Sequence, residues 1–524
     1  MIVRLFFLFT SFALCAQAPP IDWQKTYGGS NSDDVSSILG VADGFLVAGS
    51  SNSPVSGDKT IFNGLTDAWL IKFDNAGNEF WQNSYANNTF TAMYLPQIIS
   101  VSGFPNENIL VGSTKPEIDT YHMSLILTDS EGTIAQNGST GVSSDCPTDS
   151  NGFGTSLVNL FFTGDGSFIS SGTFSSPFSL CVDGESYYIE KRSSIDSSGP
   201  PAFAKYIGGD SADILTSCIE TTEGNILLLG YSDSSISGDK SDQSRGFADY
   251  WLVELASNGN IIWQKTIGGS EIEQSTNAIE TPDGGYIVGG SSNSNISGDK
   301  VDDSKGGYDY WIVKLSPSGT IEWQKTIGGA LDDKLAKIRI TNDGGYILCG
   351  TSNSPASGDK SENARGASDV WLVKIDGDGN VQWDKTIGGS GIDSGADVLQ
   401  AEDNGFIIAA TSASSASGDK TENSRGDNDY WIIKLLPEDL STNENPIESF
   451  AIYPNPFYNE ITIKSPNGEY FQLTVFDTLG RLIFDEKLTG MQTIAVDGAA
   501  GVYFVEVHDQ SGQKKTFTLV KHLP

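Results

Sequence analysis

The chain has 524 residues and carries 31 Lys and Arg against 67 Asp and Glu, a net charge of −36. A surplus of that sign excludes nucleic acid and bare anionic membranes as partners, while it favours solubility and draws cations. The length exceeds one ordinary domain, and 59 glycines among Ser-, Asn- and Asp-rich turns point to many short strands.

The opening MIVRLFFLFTSFALCAQAPP sets Arg4 before an apolar stretch and then small residues, which reads as a secretory signal peptide over 1–18. No later apolar run is long enough for a membrane helix, so no transmembrane segment is expected. Beyond Cys15 there are four cysteines. Cys218 and Cys349 fall in apolar strand patterns and are expected as buried thiols, whereas Cys146 and Cys181 sit in loops and could pair in an oxidising compartment.

From residue 19 the chain repeats. Trp263, Trp323 and Trp383 begin W-Q/D-K-T-I-G-G at intervals of 60, and upstream the slot is held by Phe203, Gln136, Trp81 and Trp23. Each unit reads as four strands: STNAIET, GYIVGGSS, YDYWIVKL and TIEWQKTI, joined by P-D-G, a long S-G-D-K loop and S-P-S-G. Alternation in DYWIVKL puts Trp311, Val313 and Leu315 on one face and Ile312 and Lys314 on the other. Four antiparallel strands at such a period predict an all-β fold, the blades of a seven-bladed β-propeller over 19–438. The seventh unit lacks its fourth strand, and IDWQKTYGG at 21–29 is a fourth strand without a unit. The N-terminal strand therefore closes the last blade and removes an open edge. The runs K-L-S-P-S-G-T-I-E-W-Q-K-T-I-G-G and T-P-D-G-G-Y-I-V-G-G-S-S resemble the short bacterial β-propeller repeat, which implies the same fold and no particular activity.

After a linker at 439–448, residues 449–524 read as short alternating strands, a small C-terminal β-sandwich. Here Tyr453-Pro454-Asn455-Pro456, Asp477 through Gly480-Arg481, Gly501-Val502-Tyr503 and Lys521 are similar to the C-terminal sorting domain of the type IX secretion system. The resemblance implies the type IX secretion machinery as a partner, and an extracellular or outer-membrane surface location.

Candidate sites come from the repeat. All ten tryptophans occupy repeat positions and are read as packing between blades. An acid recurs after each G-G, at Asp33, Asp213, Glu273, Asp333 and Asp393. These are expected to ring the channel mouth as a cation or hydroxyl-rich ligand site, or to serve as turn carboxylates holding backbone amides. The S-G-D-K loops emerge on that face. Asp299, Asp302, Asp303 and Asp309 could ligate calcium, the one cofactor considered, or tie down the loop. Units two and three replace S-G-D-K with STKPEIDTYH and SSPFSLCVDGESYY, so Tyr121, His122, Phe178, Tyr187 and Tyr188 form an aromatic ligand patch in this reading. His122 is the only histidine of the repeat region, and no G-x-S-x-G or H-E-x-x-H occurs. The expectation is therefore a secreted or surface binding and adhesion protein for a polysaccharide or surface protein, not an enzyme. The alternative is a carbohydrate-active hydrolase or lyase using paired carboxylates on the same face.

Overall fold

The computed structural model describes residues 17–62, 66–85, 109–117, 120–128, 134–141, 154–176, 184–193, 200–438, 450–465, 470–478, 480–508 and 514–522, with backbone alone at the described positions of 109–141 and at 154–157, 175–176, 451, 470, 514–516 and 518. Two compact units divide after Glu438. Residues 1–16 of the expected signal peptide, the cysteines Cys146 and Cys181 and the whole of the linker 439–448 lie outside the described residues.

The first unit is a β-propeller. Its described strands form six four-stranded antiparallel sheets and one three-stranded sheet. In chain order, sheet 1 runs from Asp33 to Tyr85, sheet 2 from Ile109 to Gly141 and sheet 3 from Gly154 to Ile207. Sheet 4 runs from Asp213 to Ile267, sheet 5 from Glu273 to Ile327 and sheet 6 from Asp333 to Ile387. Sheet 7 takes its first three strands from Asp393–Leu435, and its fourth is the N-terminal strand Ile21–Tyr27, antiparallel to Asp429–Leu435. The closure expected from the displaced W-Q-K-T strand is what the chain adopts.

The third strands of sheets 1, 4, 5, 6 and 7 are buried on both faces because each is sandwiched between neighbouring sheets. In sheet 5, Trp311, Val313 and Leu315 pack with Leu229, Tyr250 and Leu252 of sheet 4. Ile312, on the opposite face, packs with Ile338 and Leu348 of sheet 6. Lys314 shares that second face, and its ammonium escapes to Asp283 at 3.0 Å. One aromatic contact recurs: the Tyr250 ring lies 5.0 Å from Trp311, and its hydroxyl donates to the Trp311 carbonyl at 3.2 Å. Tyr187 meets Trp251, Tyr310 meets Trp371, and Tyr430 meets Trp69 in the same way, the last joining sheet 7 to sheet 1. Aromatic pairs of this kind contribute roughly 0.5–1.5 kcal/mol beyond the area they bury. Cys218 and Cys349 are buried free thiols, as their apolar strands require.

The second unit is a β-sandwich. Strands Ala451–Tyr453, Glu460–Lys464 and Met491–Ala495 form one sheet, and Leu482–Thr489, Tyr470–Asp477, Gly501–His508 and Lys514–Lys521 form the other. Phe457, Ile461, Phe471, Leu473, Val505 and Leu519 are among the core side chains. The motif residues pin its turns and edges. Asn455 Oδ1 accepts the Val520 amide at 2.9 Å, and the Tyr503 hydroxyl donates to the Ala499 carbonyl at 2.7 Å. The buried Lys521 ammonium donates to the Val496 carbonyl at 2.6 Å. Asp477 closes a turn on Arg481, with Gly480 at φ 73°. Tyr453, Pro454, Pro456 and Gly501 lie in the strand ends and turns of the same region.

Candidate functional site at the loop face

The S-G-D-K loop joins the second and third strands and meets the G-G segment that enters the first strand. Ser297 and Lys300 exchange backbone hydrogen bonds across a two-residue turn, in which Gly298 takes φ 55°. A side chain at Gly298 would be strained and would also strike the Gly268 carbonyl. The Asp299 amide donates to that carbonyl at 2.8 Å, and Gln324 of W-Q-K-T donates to the Asp299 carbonyl at 2.6 Å. The same Gln324 accepts from the Trp311 indole at 3.1 Å. The polar loop and the aromatic strand recur together because one glutamine ties them.

The aspartate of S-G-D-K is one half of a latch between sheets. Asp299 accepts Arg245 Nε from the preceding sheet at 3.0 Å, and Asp419 accepts Arg365 Nε at 3.1 Å. Lys305 reaches Asp359, and Arg425 reaches Asp58 at 3.0 Å, which joins sheet 7 to sheet 1. These cations were not singled out in the sequence. Their signal is there: Arg245, Lys305, Arg365 and Arg425 each stand five residues after the S-G-D-K lysine. In unit one that position is Gly64, and unit two has no S-G-D-K aspartate to receive a cation.

The structure corrects the calcium reading. Asp299 is engaged by Arg245. Asp303 accepts the Ile296 amide at 3.0 Å, and Asp309 is buried under Ser304 Oγ and the Lys305 amide at 2.5 and 2.6 Å. Asp302 is exposed, and its carbonyl takes the buried Lys300 ammonium at 2.7 Å. Among the described residues no three His, Cys, Asp or Glu side chains gather as a metal ion would require.

The ring of acids is corrected in the same sense. Asp33, Asp213, Glu273, Asp333 and Asp393 head the first strands as expected, but all five are fully buried. Each accepts an amide from the second glycine of its G-G pair at 2.6–2.7 Å. Asp33, Asp213, Asp333 and Asp393 also accept a serine hydroxyl two residues beyond their second strands, and Glu273 accepts Ser292 Oγ. They are turn carboxylates with no face toward solvent. Burial pushes Asp33, Asp213 and Asp333 above the usual carboxylate range. A second buried acid heads each regular third strand. Burial, and then the carboxylate of Glu273 across the junction, raise Asp249 to about 6.

The aromatic patch is also corrected in part. Tyr187 and Tyr188 are fully buried and offer a ligand no surface. Tyr187 fills the slot of Tyr250 and Tyr310, and Tyr188 stands in the tryptophan slot with its hydroxyl on Glu190 at 2.9 Å. Aligning SYYIEK with DYWLVE exposes the equivalence in sequence. Tyr121 and His122 fall in the strand Thr120–Thr128, opposite Pro116 and Lys115. Their side chains, and Phe178 altogether, lie outside what is described.

The loop face also exposes apolar side chains. Val55, Ile236 and Ile296, each just before S-G-D-K, are 61%, 58% and 61% exposed. Phe247, Leu331 and Ile392, on the adjoining segments of the same face, are more than half exposed.

Residues 451–521 match the model of the secretion system C-terminal sorting domain. This domain marks the protein for type IX secretion to the extracellular space or the cell surface, and the secretion machinery is its partner. A 193-residue stretch is 21% identical to the regulatory protein FlaEY of Caulobacter vibrioides, covering 35% of this chain and 20% of that protein. Among solved structures, a protein of unknown function from Dyadobacter fermentans aligns over 79% of this chain and 99% of its own, at 9% identity and a TM-score of 0.36. Puromycin hydrolase aligns over 86% and 62%, at 12% identity and a TM-score of 0.41. The polysaccharide lyase Uly1 aligns over 79% and 93%, at 10% identity and a TM-score of 0.35. At these levels the likenesses bring no substrate and no activity to this chain. Among the described residues no helix is long and apolar enough to cross a membrane.

Proposed function

We propose that the exported protein is a binding and adhesion module whose loop face docks a protein on a cell surface. The observation that carries this reading is the set of exposed aliphatic side chains, Val55, Ile236 and Ile296, held at equivalent positions of latched loops. Loops fixed by hydrogen bonds and ion pairs lose little conformational freedom on binding, so burying apolar side chains there converts efficiently into affinity. Aliphatic studs suit a protein surface better than a polysaccharide, for which stacked aromatic platforms would be expected. The engagement of the loop-face carboxylates with amides, hydroxyls and guanidinium groups supports binding over hydrolysis or elimination, because a general acid or base needs access to substrate.

The test compares the full chain with the Val55→Asp, Ile236→Asp, Ile296→Asp variant on target cells, on protease-shaved cells and on a polysaccharide array. Loss of binding on shaved cells, and a fall of at least about tenfold in the variant at unchanged melting temperature, is expected. Polysaccharide binding that is lost in the variant, cell binding that the variant retains, or turnover of any polymer, would overturn the reading.

A further inference from the structure

The inner strands of the propeller carry a second repeated device. Each regular one has a bulge, as between Ser275 and Asn277 or Leu335 and Lys337, and the side chain that follows it stands beside the next inner strand. At four junctions that side chain accepts an amide of the next inner strand. Asn159 takes the Cys218 amide at 2.7 Å, Ser217 takes Ala278 at 3.3 Å, Asn277 takes Ile338 at 2.9 Å and Asp397 takes Ile38 at 3.2 Å.

Sheet 6 breaks the series. Its bulge residue is Lys337, which donates only and cannot bridge to sheet 7. The Val398 amide instead bonds to the neighbouring Asp397 Oδ1 at 2.8 Å. Two residues on, Arg339 reaches Asp397 with Nε and Nη2 at 3.0 and 2.7 Å, and its Nη2 also donates to the Ile38 carbonyl at 3.0 Å. Asp397 is thus neutralised by Arg339 and takes the Ile38 and Val398 amides besides. Lys337 has no hydrogen bond or ion pair among the described residues. Burial lowers its affinity for a proton, Asp397 offsets this, and Arg339 adds to it. Both cations remain partly open to solvent.

A partly desolvated ammonium beside a guanidinium that is already paired leaves one positive charge uncompensated, inside a chain of net charge −36. We infer that Lys337, with the free edge of Arg339, binds a carboxylate in the central channel. The inner-strand segment AKIRI is the only one of the repeat to carry two cations. The site is separate from the loop face, so the two readings fail independently.

Carboxylates reach such a channel as free small acids or as uronate units of a polymer. Titration calorimetry of the full chain with acetate, galacturonic acid and an oligogalacturonate distinguishes them. Saturable, enthalpic binding is expected, at least about tenfold weaker in Lys337→Met and retained in Lys337→Arg, since one charge-assisted hydrogen bond is at stake. Acetate and monomer binding alone identifies a free acid as ligand, whereas binding that strengthens with the oligomer identifies the polymer. Absence of binding by the wild type, or equal affinity in a folded Lys337→Met, overturns the proposal. If Lys337→Met does not fold, weaker binding at raised chloride in the wild type is the expected result, and insensitivity to chloride overturns it.

Discussion

The junction between sheets 3 and 4 and the junction between sheets 4 and 5 share one inner architecture and differ in their outer one. Both have a tyrosine against a tryptophan, Tyr187 with Trp251 and Tyr250 with Trp311, at 4.9 and 5.0 Å. Both have a polar bulge residue bridging the inner strands, Asn159 and Ser217. On the loop face they diverge. The later junction has the Arg245–Asp299 latch and the buried pair Asp249 and Glu273. The earlier one has Ser186 in place of the second acid, and Asp239 there lacks an ion-pair cation among the described residues. Aromatic packing and inner-strand bridges therefore suffice to join sheets. The latch and the acid pair are additions that fix the loops.

Breaking the shared layer should have the largest effect, and the same effect at both junctions. Trp251→Ala and Trp311→Ala are each expected to cost about 3–5 kcal/mol, read from denaturant unfolding of the propeller transition. A much smaller loss at either junction would show that its sheets are joined by other means. The acid pair comes next, and its signature is pH dependence. With the Asp249 value near 6 in the folded state and near 4 in the unfolded chain, the folded state binds the extra proton between them. This contribution to stability is therefore present at low pH and is lost as pH rises through about 6. Asp249→Asn should raise the melting temperature at pH 8 and leave it nearly unchanged at pH 4. Ser186→Asp should import the same pH dependence into the earlier junction, where the wild type lacks the pair. The smallest effect is assigned to the latch. A double-mutant cycle on Arg245 and Asp299, both about one-quarter exposed, should return no more than about 1 kcal/mol and shrink in high salt.

Much of this architecture can be read from the repeat. The period, the turn chemistry and the misplaced W-Q-K-T strand identify the sheets and the closure, because a pleated strand advertises its faces residue by residue. The candidate site was less legible. An aspartate at a repeated position looks the same in sequence whether it faces a ligand or a backbone amide. Asp33 and Asp333 proved to be buried because two glycines bring the chain close enough to wrap them. Tyr187 and Tyr188 were misread because a loop of unusual composition precedes them, although their own register matches DYW. The Lys337–Arg339 pair escaped because a bulge resets the strand alternation, and a bulge has no sequence signature here beyond the repeat itself.

The strand Ile21–Tyr27 has a consequence for the order of events in biogenesis. A chain emerging N-terminus first presents this strand about 400 residues before its partner Asp429–Leu435. At roughly 5–20 residues per second, it waits about 20–80 s with one edge unpaired. The earliest segment made is thus the last to find its place, and the ring stays open until synthesis has nearly reached the sorting domain.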